Sequence, residues 1–385
     1  MSWTYTQPKK VVELMFDIKD FSNSTEYKEQ SPFNKSKSYP SVSTWDLWYF
    51  NLDNYSFSFD GEETICVLFN IEAVLLLIED FGINPKQITL ISDNENKTAL
   101  AKIWGVNVNY KGEEQNMKFT HVIKNPPWDK GIYTKFWLLG EQLLEDNGFQ
   151  IDIYPTNWMT LPSYQKDRDF LLENFEIKSI KIYDNSKGQV FEAQPGGDVI
   201  VMVSQKTKNP NNTSVEWTYF DNTTFTVDLT KHGIWPMYQS ALGAKIFDMV
   251  VSAKKHDLKY LSVLKDFDLT KLPEYFIAAP TKVHSRNTKD FMTRPGTRWE
   301  KNKLKKIADE LLFEFTNATD CDLHHEWMST DIFAYCLEMA KSQGKNQPKS
   351  IVYLGEHNFK DNDFVRHFGF TKQHLDEVAS WKSQK

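Results

Sequence analysis

The sequence predicts an α/β protein: a parallel sheet with crossover helices, followed by a second domain of mixed α+β composition. From Thr64 onward short apolar runs alternate with amphipathic stretches, and the alternation lasts to Lys206. An Asn- and Thr-rich segment, KTKNPNNTS, then separates this half from one with a different pattern.

In chain order, residues 1–60, rich in Ser, Asn, Lys and aromatics with one short VVELMF run, read as an irregular N-terminal arm. ICVLF is a strand, IEAVLLLIEDFG a helix, ITLIS a strand, KTALAKIWG a helix and FTHVI a strand. A helix over 134–146, a strand at FQIDIYP, a helix over 163–174 and strands at KSIKIY and DVIVMVSQK continue the series. The last strand comes after a Pro195-Gly196-Gly197 turn. These elements make one domain, 61–208. The second domain, 209–385, is expected to hold a helix over 238–254, a basic segment, helices over 301–315 and 330–342, a strand at SIVYL and a helix over 372–381. There is no internal repeat and no low-complexity tract.

A chain of 385 residues with this apolar and aromatic content can support two cores. No stretch reaches the apolar length of a bilayer span, and MSWTYTQPKK lacks the core of a secretory signal. No membrane partner is expected. Cys66, Cys321 and Cys336 are odd in number and form no CxxC pair, which fits a reducing, cytoplasmic setting without a metal site. Cys321, Asp322, His324, His325 and Glu326 match no metal-ligand spacing and read as a surface turn. The net charge of -7 excludes a generic nucleic-acid coating protein, so any such binding must be local. Between 282 and 306 nine Lys or Arg residues stand against two acidic ones, with Phe291 and Trp299 interleaved. That segment is either a nucleic-acid contact or a solvated surface.

The sharpest motif is FTHVIKNPPWDKG, 119–131: an apolar strand with Asn125-Pro126-Pro127-Trp128 at its carboxyl end. Ligands of open α/β sheets bind at the carboxyl ends of strands. The residue types suit a conjugated amino group, whose nitrogen is a poor nucleophile because its lone pair is delocalised. If the Asn125 oxygen and the Pro126 carbonyl each accept one N–H, the nitrogen is drawn toward tetrahedral geometry and its lone pair is freed to attack an electrophilic methyl group. The prolines fix φ and add carbonyls without competing donors, and Trp128 offers a stacking face. The bland alternative is a rigid turn after a strand.

This loop resembles that of the amino-group DNA methyltransferases, whose signature reads Asn/Asp-Pro-Pro-aromatic. The resemblance covers roughly residues 60–206. GFQIDIYPTNW is similar to the strand after the catalytic helix, and GQVFEAQPGGDVIVMVSQK to the last hairpin, where Phe191 matches an aromatic that contacts the extruded base. Phe191 is equally readable as a core strand residue. The resemblance implies a Rossmann-like S-adenosylmethionine-dependent methyltransferase sheet, S-adenosylmethionine as cofactor, double-stranded DNA as partner, and methylation at N6 of a flipped-out adenine held between Trp128 and Phe191. It also implies target reading by the second domain, where the basic segment offers Arg286, Arg294, Arg298, Lys301 and Lys303 as contacts.

On the cofactor side the chain departs from that family, whose first strand is followed by a Gly-rich turn. Here ICVLF runs directly into Asn70-Ile71-Glu72-Ala73. Phe69, Asn70 and Glu72 are the candidates at that turn. Asp93 ends the next strand, placed to accept ribose hydroxyls, with Asn94 beside it; Asp93 is also placed to cap the following helix. Asn107 or Asn109 is placed to face the cofactor's adenine. There is no GxxxxGK[ST] loop and no GxSxG elbow, and about 60 residues before the first strand leave little room for a fused nuclease, so a free-standing enzyme is expected. Two other readings stand: an RNA adenine or protein glutamine methyltransferase, and a DNA-binding subunit with a decayed cofactor pocket.

Overall fold

The computed structural model describes residues 62–92, 94–109, 117–126, 134–183, 198–220, 223–263, 271–280, 294–297, 310–340 and 348–384. In chain order they form β1 (Ile65–Leu68), α1 (Ile71–Glu79), β2 (Ile88–Ile91), α2 (Glu95–Ile103), β3 (Asn107–Asn109), β4 (Phe119–Lys124), α3 (Lys135–Leu143) and β5 (Leu144–Pro155). Next come α4 (Asn157–Thr160), α5 (Gln165–Asn174), β6 (Phe175–Tyr183), β7 (Val199–Lys206), β8 (Val215–Thr218), β9 (Thr224–Val227) and α6 (Ala241–Ser252). The chain continues through β10 (Tyr260–Val263), β11 (Tyr275–Pro280), β12 (Arg294–Thr297), β13 (Glu310–Phe315) and α7 (Ala318–Met328). Last are α8 (Asp331–Ala340), α9 (Pro348–Leu354), α10 (Phe364–Phe368) and α11 (Lys372–Ser383). Two compact units divide the chain, one of Met1–Pro155 with Asp169–Asn222 and the other of Thr156–Arg168 with Thr223–Lys385.

In the first unit the strands lie in the order β3-β2-β1-β4-β5-β7-β6-β8. The pairings among β3, β2, β1, β4 and β5 are all parallel, and β7 runs antiparallel to both β5 and β6. This is a Rossmann-like α/β sheet. Parallel strands covered on both faces read as unbroken apolar runs, and ICVL and ITLI are buried throughout. The core joins those strands to the apolar face of α1, including Ile71, Val74 and Leu77, and to Ile151 and Ile153 of β5. Strand order reverses between β1 and β4, which puts the topological switch point of the sheet at their carboxyl ends.

The sheet continues beyond residue 208, since β8 pairs with β6 in parallel. The connecting KTKNPNNTS is anchored. Asn212, buried in it, accepts from the Ile177 N–H at 2.7 Å and donates to the Phe175 carbonyl at 3.0 Å, where β6 shifts register against β7.

The second unit contains an antiparallel sheet in the order β10-β13-β11-β12. Three expectations are corrected here. ELLFEF, placed in a helix over 301–315, is β13, bonded on both sides to β10 and β11 with Leu311, Leu312 and Phe313 buried. A short apolar run does not distinguish helix from strand by period alone. SIVYL, read as a strand from its β-branched residues, lies in α9, which Pro348 opens and whose buried Ile351 and Leu354 recur at helical spacing. Cys321–Glu326, read as a surface turn, lies in α7, capped by Asn317 accepting from the Asp320 N–H at 2.8 Å. His324 of α7 is buried against Phe315 and Phe359. Arg168, also buried, donates to the carbonyls of Gly233, Trp158 and Leu161. Among the described residues no group of three or more His, Cys, Asp or Glu can hold a metal ion.

Candidate active site

Leu68 and Lys124 stand in register at the carboxyl ends of β1 and β4, and Asp152 within β5 is in register with Lys124. The candidate site is built from the residues at and just past these strand ends.

After β1 the chain turns at Phe69, whose φ of 64° is left-handed. Glycine adopts that conformation freely; another residue bears a cost of roughly 1–2 kcal/mol. The turn is held from both ends. The Phe69 N–H donates to the Ile91 carbonyl at 3.0 Å, and its own carbonyl accepts from Lys97 Nζ at 3.0 Å. The ring meets Phe136 edge-on at 5.7 Å. The missing glycine therefore did not remove the glycine-like turn.

Asn70 follows in extended conformation as the N-cap of α1, but its side chain makes no cap hydrogen bond. Its Oδ1 instead accepts the backbone N–H of Asn125 at 2.9 Å. One carboxamide thereby spans the switch point, from the end of β1 to the residue after β4. The first N–H groups of α1 are left without a side-chain cap. Glu72 lies within α1.

At the end of β2, Asn94 is the N-cap of α2. Its Oδ1 accepts from the Lys97 N–H at 3.1 Å and caps that helix. Asn107 Nδ2 donates to the Lys86 carbonyl at 2.8 Å, and Asn109 Nδ2 bonds Met117 Sδ.

Asn125, half-buried, and Pro126, buried, come directly after β4. Pro127, Trp128, Phe191, Asp93, Arg286, Arg298, Lys301 and Lys303 lie outside the described residues. Arg294 opens β12. The structure thus brings Phe69, Asn70, Asn125 and Pro126 together at the switch point and places Asn94 at the head of the neighbouring helix.

Sequence reasoning missed the ion pair next to Asn125. Lys124 and Asp152 are wholly buried, with Nζ 3.3 Å from Oδ1. Nζ also donates to Gln150 Oε1 at 2.7 Å and to the Phe136 carbonyl at 2.8 Å. Burial opposes both charges and each opposes it for the other, so the Asp152 carboxyl is held up at about 6 and the Lys124 ammonium falls below the usual lysine range. Gly140 of α3 makes the space, because a Cβ there would collide with Lys124 Nζ and Gln150 Oε1. A signal existed: Gln150 and Asp152 interrupt the otherwise apolar run FQIDIYP of β5 at alternate positions, hence on one face.

No protein-family description and no curated protein matches the chain. Among solved structures it is similar to the modification subunit of a putative type I restriction enzyme from Vibrio vulnificus YJ016, at 11% identity and a TM-score of 0.39 over 57% of this chain and 53% of that one. A putative class I S-adenosylmethionine-dependent methyltransferase from Listeria monocytogenes matches at 11% identity and a TM-score of 0.39, over 55% of this chain and 72% of that one. The type IIG restriction endonuclease BpuSI matches at 10% identity and a TM-score of 0.43, over 90% of this chain and 61% of that one. The chain spans about half the length of the Vibrio subunit and about three-fifths of BpuSI.

Proposed function

We propose that this chain is an S-adenosylmethionine-dependent methyltransferase acting on the N6 amino group of adenine in double-stranded DNA. The observation that carries the reading is the position of Asn125-Pro126: directly after β4, at the switch point, with the Asn125 backbone fixed by Asn70. In this reading the Asn125 oxygen and the Pro126 carbonyl accept the two N–H bonds of the amino group, and Trp128 and Phe191 hold the base outside the duplex. Loss of the proton comes after methylation, when the nitrogen has become acidic, so no strong base is required.

The residues at the turn fit the cofactor. With Asn70 engaged at Asn125, the N-terminus of α1 keeps backbone N–H groups and a positive dipole end suited to a carboxylate. Phe69, Asn70 and Glu72 would hold the methionine part, and Asp93 with Asn94 the ribose. When bound, the cofactor supplies an electrophilic methyl group on a sulfonium. The second domain, with Arg286, Arg294, Arg298, Lys301 and Lys303, would read the target in the duplex.

The test offers labelled cofactor to the purified chain with unmethylated duplex DNA, single-stranded RNA or a glutamine-containing peptide. Label in the duplex alone is expected. Label in RNA or peptide transfers the reading to that substrate. A DNA-binding subunit without catalysis is the second reading, which rests on Phe69-Asn70 standing in the sequence where the family carries glycine. Calorimetry with the cofactor separates it, since such a subunit gives no binding heat.

A further inference from the structure

Lys124 closes β4 and adjoins Asn125, and its side chain is wholly buried. An ammonium has three N–H donors. This one donates to the Phe136 carbonyl and Gln150 Oε1 at 2.8 and 2.7 Å, and Asp152 Oδ1 lies 3.3 Å away as its ion-pair partner. They belong to two elements. Phe136 sits in the first turn of α3, while Gln150 and Asp152 share a face of β5. The other ionisable groups facing the ammonium are the thiol of Cys66 on β1 and, through Asp152, the phenol of Tyr154 on β5.

Stability does not explain such an arrangement. A buried ion pair repays its desolvation poorly, and apolar residues of similar volume often serve as well or better. An apolar side chain at position 124 would fill the space, but it would not join two hydrogen-bond acceptors and a carboxylate. Gly140 gives up its side chain to admit the ammonium. Asn125 is consequently fixed from two directions: Asn70 holds its N–H, and Lys124 ties the preceding residue to α3 and β5.

We propose that Lys124 is a positioning residue for Asn125, its ammonium fastening the end of β4 to α3 and β5, with Asp152 as the counter-charge. This rests on the reading of Asn125 and Pro126 as the acceptors of the substrate amino group. Lys124 acts through Asn125 and touches no substrate. The fastening holds the two acceptors at a fixed spacing before the base arrives, which is where preorganised groups gain their effect.

The experiment uses the full chain and two variants, Lys124→Met and the double variant Lys124→Met/Asp152→Leu. The single variant leaves Asp152 buried without its partner and is expected to destabilise the fold. The double variant removes both charges, leaving only the Gln150 and Phe136 oxygens without their donor, and is expected to melt above the single variant. In the double variant, hydrogen exchange at the Asn125 amide should quicken by about tenfold or more while β1 and β2 exchange as in the parent. Its kcat should fall by about tenfold or more, with KM for the cofactor within about twofold of the parent. Parent-like exchange and parent-like kcat in a folded double variant would overturn the proposal. If the parent itself methylates no DNA, the reading of the site fails, and the exchange at Asn125 still decides whether Lys124 fastens it.

Discussion

Asn70 Oδ1 accepts the backbone N–H of Asn125 at 2.9 Å, a hydrogen bond between residues 55 positions apart in the chain. Asn70 is both the N-cap position of α1 and the acceptor that locates the candidate catalytic asparagine. Asn70→Ala removes the acceptor and leaves a half-buried donor, at a cost of about 1 kcal/mol in stability. Turnover should fall with it, whereas Asn70→Asp, which keeps an oxygen, should retain most of both. Denaturant melts and single-turnover rates on the two variants check this; equal behaviour of Ala and Asp would show that the oxygen is idle.

Asp93 and Asn94 are neighbours with separable expected roles. Asn94→Ala removes the cap of α2 and should lower stability by about 1 kcal/mol. Asp93→Ala should instead weaken the cofactor, by about 1.5–3 kcal/mol for a charge-assisted bond to the ribose. Calorimetry and thermal melts on each variant decide the assignment, and unaltered cofactor affinity in Asp93→Ala would remove it from the pocket.

The pattern of the first unit was legible because parallel strands buried on both faces are continuous apolar runs, as ICVL and ITLI are. The position of Asn125-Pro126 at a strand end was legible because such a motif needs no tertiary information. Lys124 was not, since a lysine ending a strand reads as solvated until Gln150, Asp152 and Phe136 are brought around it by β5 and α3. The αL turn at Phe69 was hidden for a related reason: its conformation is imposed by the bonds of its backbone to Ile91 and Lys97. In the second unit ELLFEF and SIVYL exchanged their expected identities because runs of five or six residues fit both periods, and pairing with β10 and β11 settled the first.

The second unit should lose stability in mild acid. His357 is buried beside His324 and His367, and burial holds its imidazole down at about 4, with the other two also lowered. His324 accepts the His357 N–H on Nε2 and contacts the Asp320 carbonyl through Nδ1, the pattern of a neutral ring. A folded-state value below the unfolded one means the unfolded chain binds more protons. The stability from His357 is therefore complete above its ordinary value and is lost as pH falls from about 6.5 toward 4, amounting to about 3 kcal/mol. Melts between pH 7.5 and 4.5 should show the decline, and His357→Gln should make it shallower, the remainder coming from His324 and His367. A parent profile level across that window contradicts the assignment.

In the basic segment 282–306, lysines and arginines should separate by experiment. Changing a phosphate-binding lysine such as Lys301 or Lys303 to Ala should weaken binding to all duplexes alike and lower the salt slope by about one unit. At least one of Arg286, Arg294 and Arg298 should instead alter which sequence is modified. Competition between cognate and scrambled duplexes at several salt concentrations distinguishes the classes. If all three arginine variants behave like the parent, the segment is a solvated surface.

On the proposed reading Asn125 acts on an adenine amino nitrogen, and one measurement tests this directly. The purified chain and its Asn125→Ala variant are incubated with labelled S-adenosylmethionine and unmethylated duplex DNA, and the DNA is digested to nucleosides. The parent should yield N6-methyladenine, and the variant should be slower by about a hundredfold or more while binding the cofactor as tightly. Label recovered in another nucleoside or absent from the DNA, or a loss of activity below about tenfold in the variant, would contradict the account.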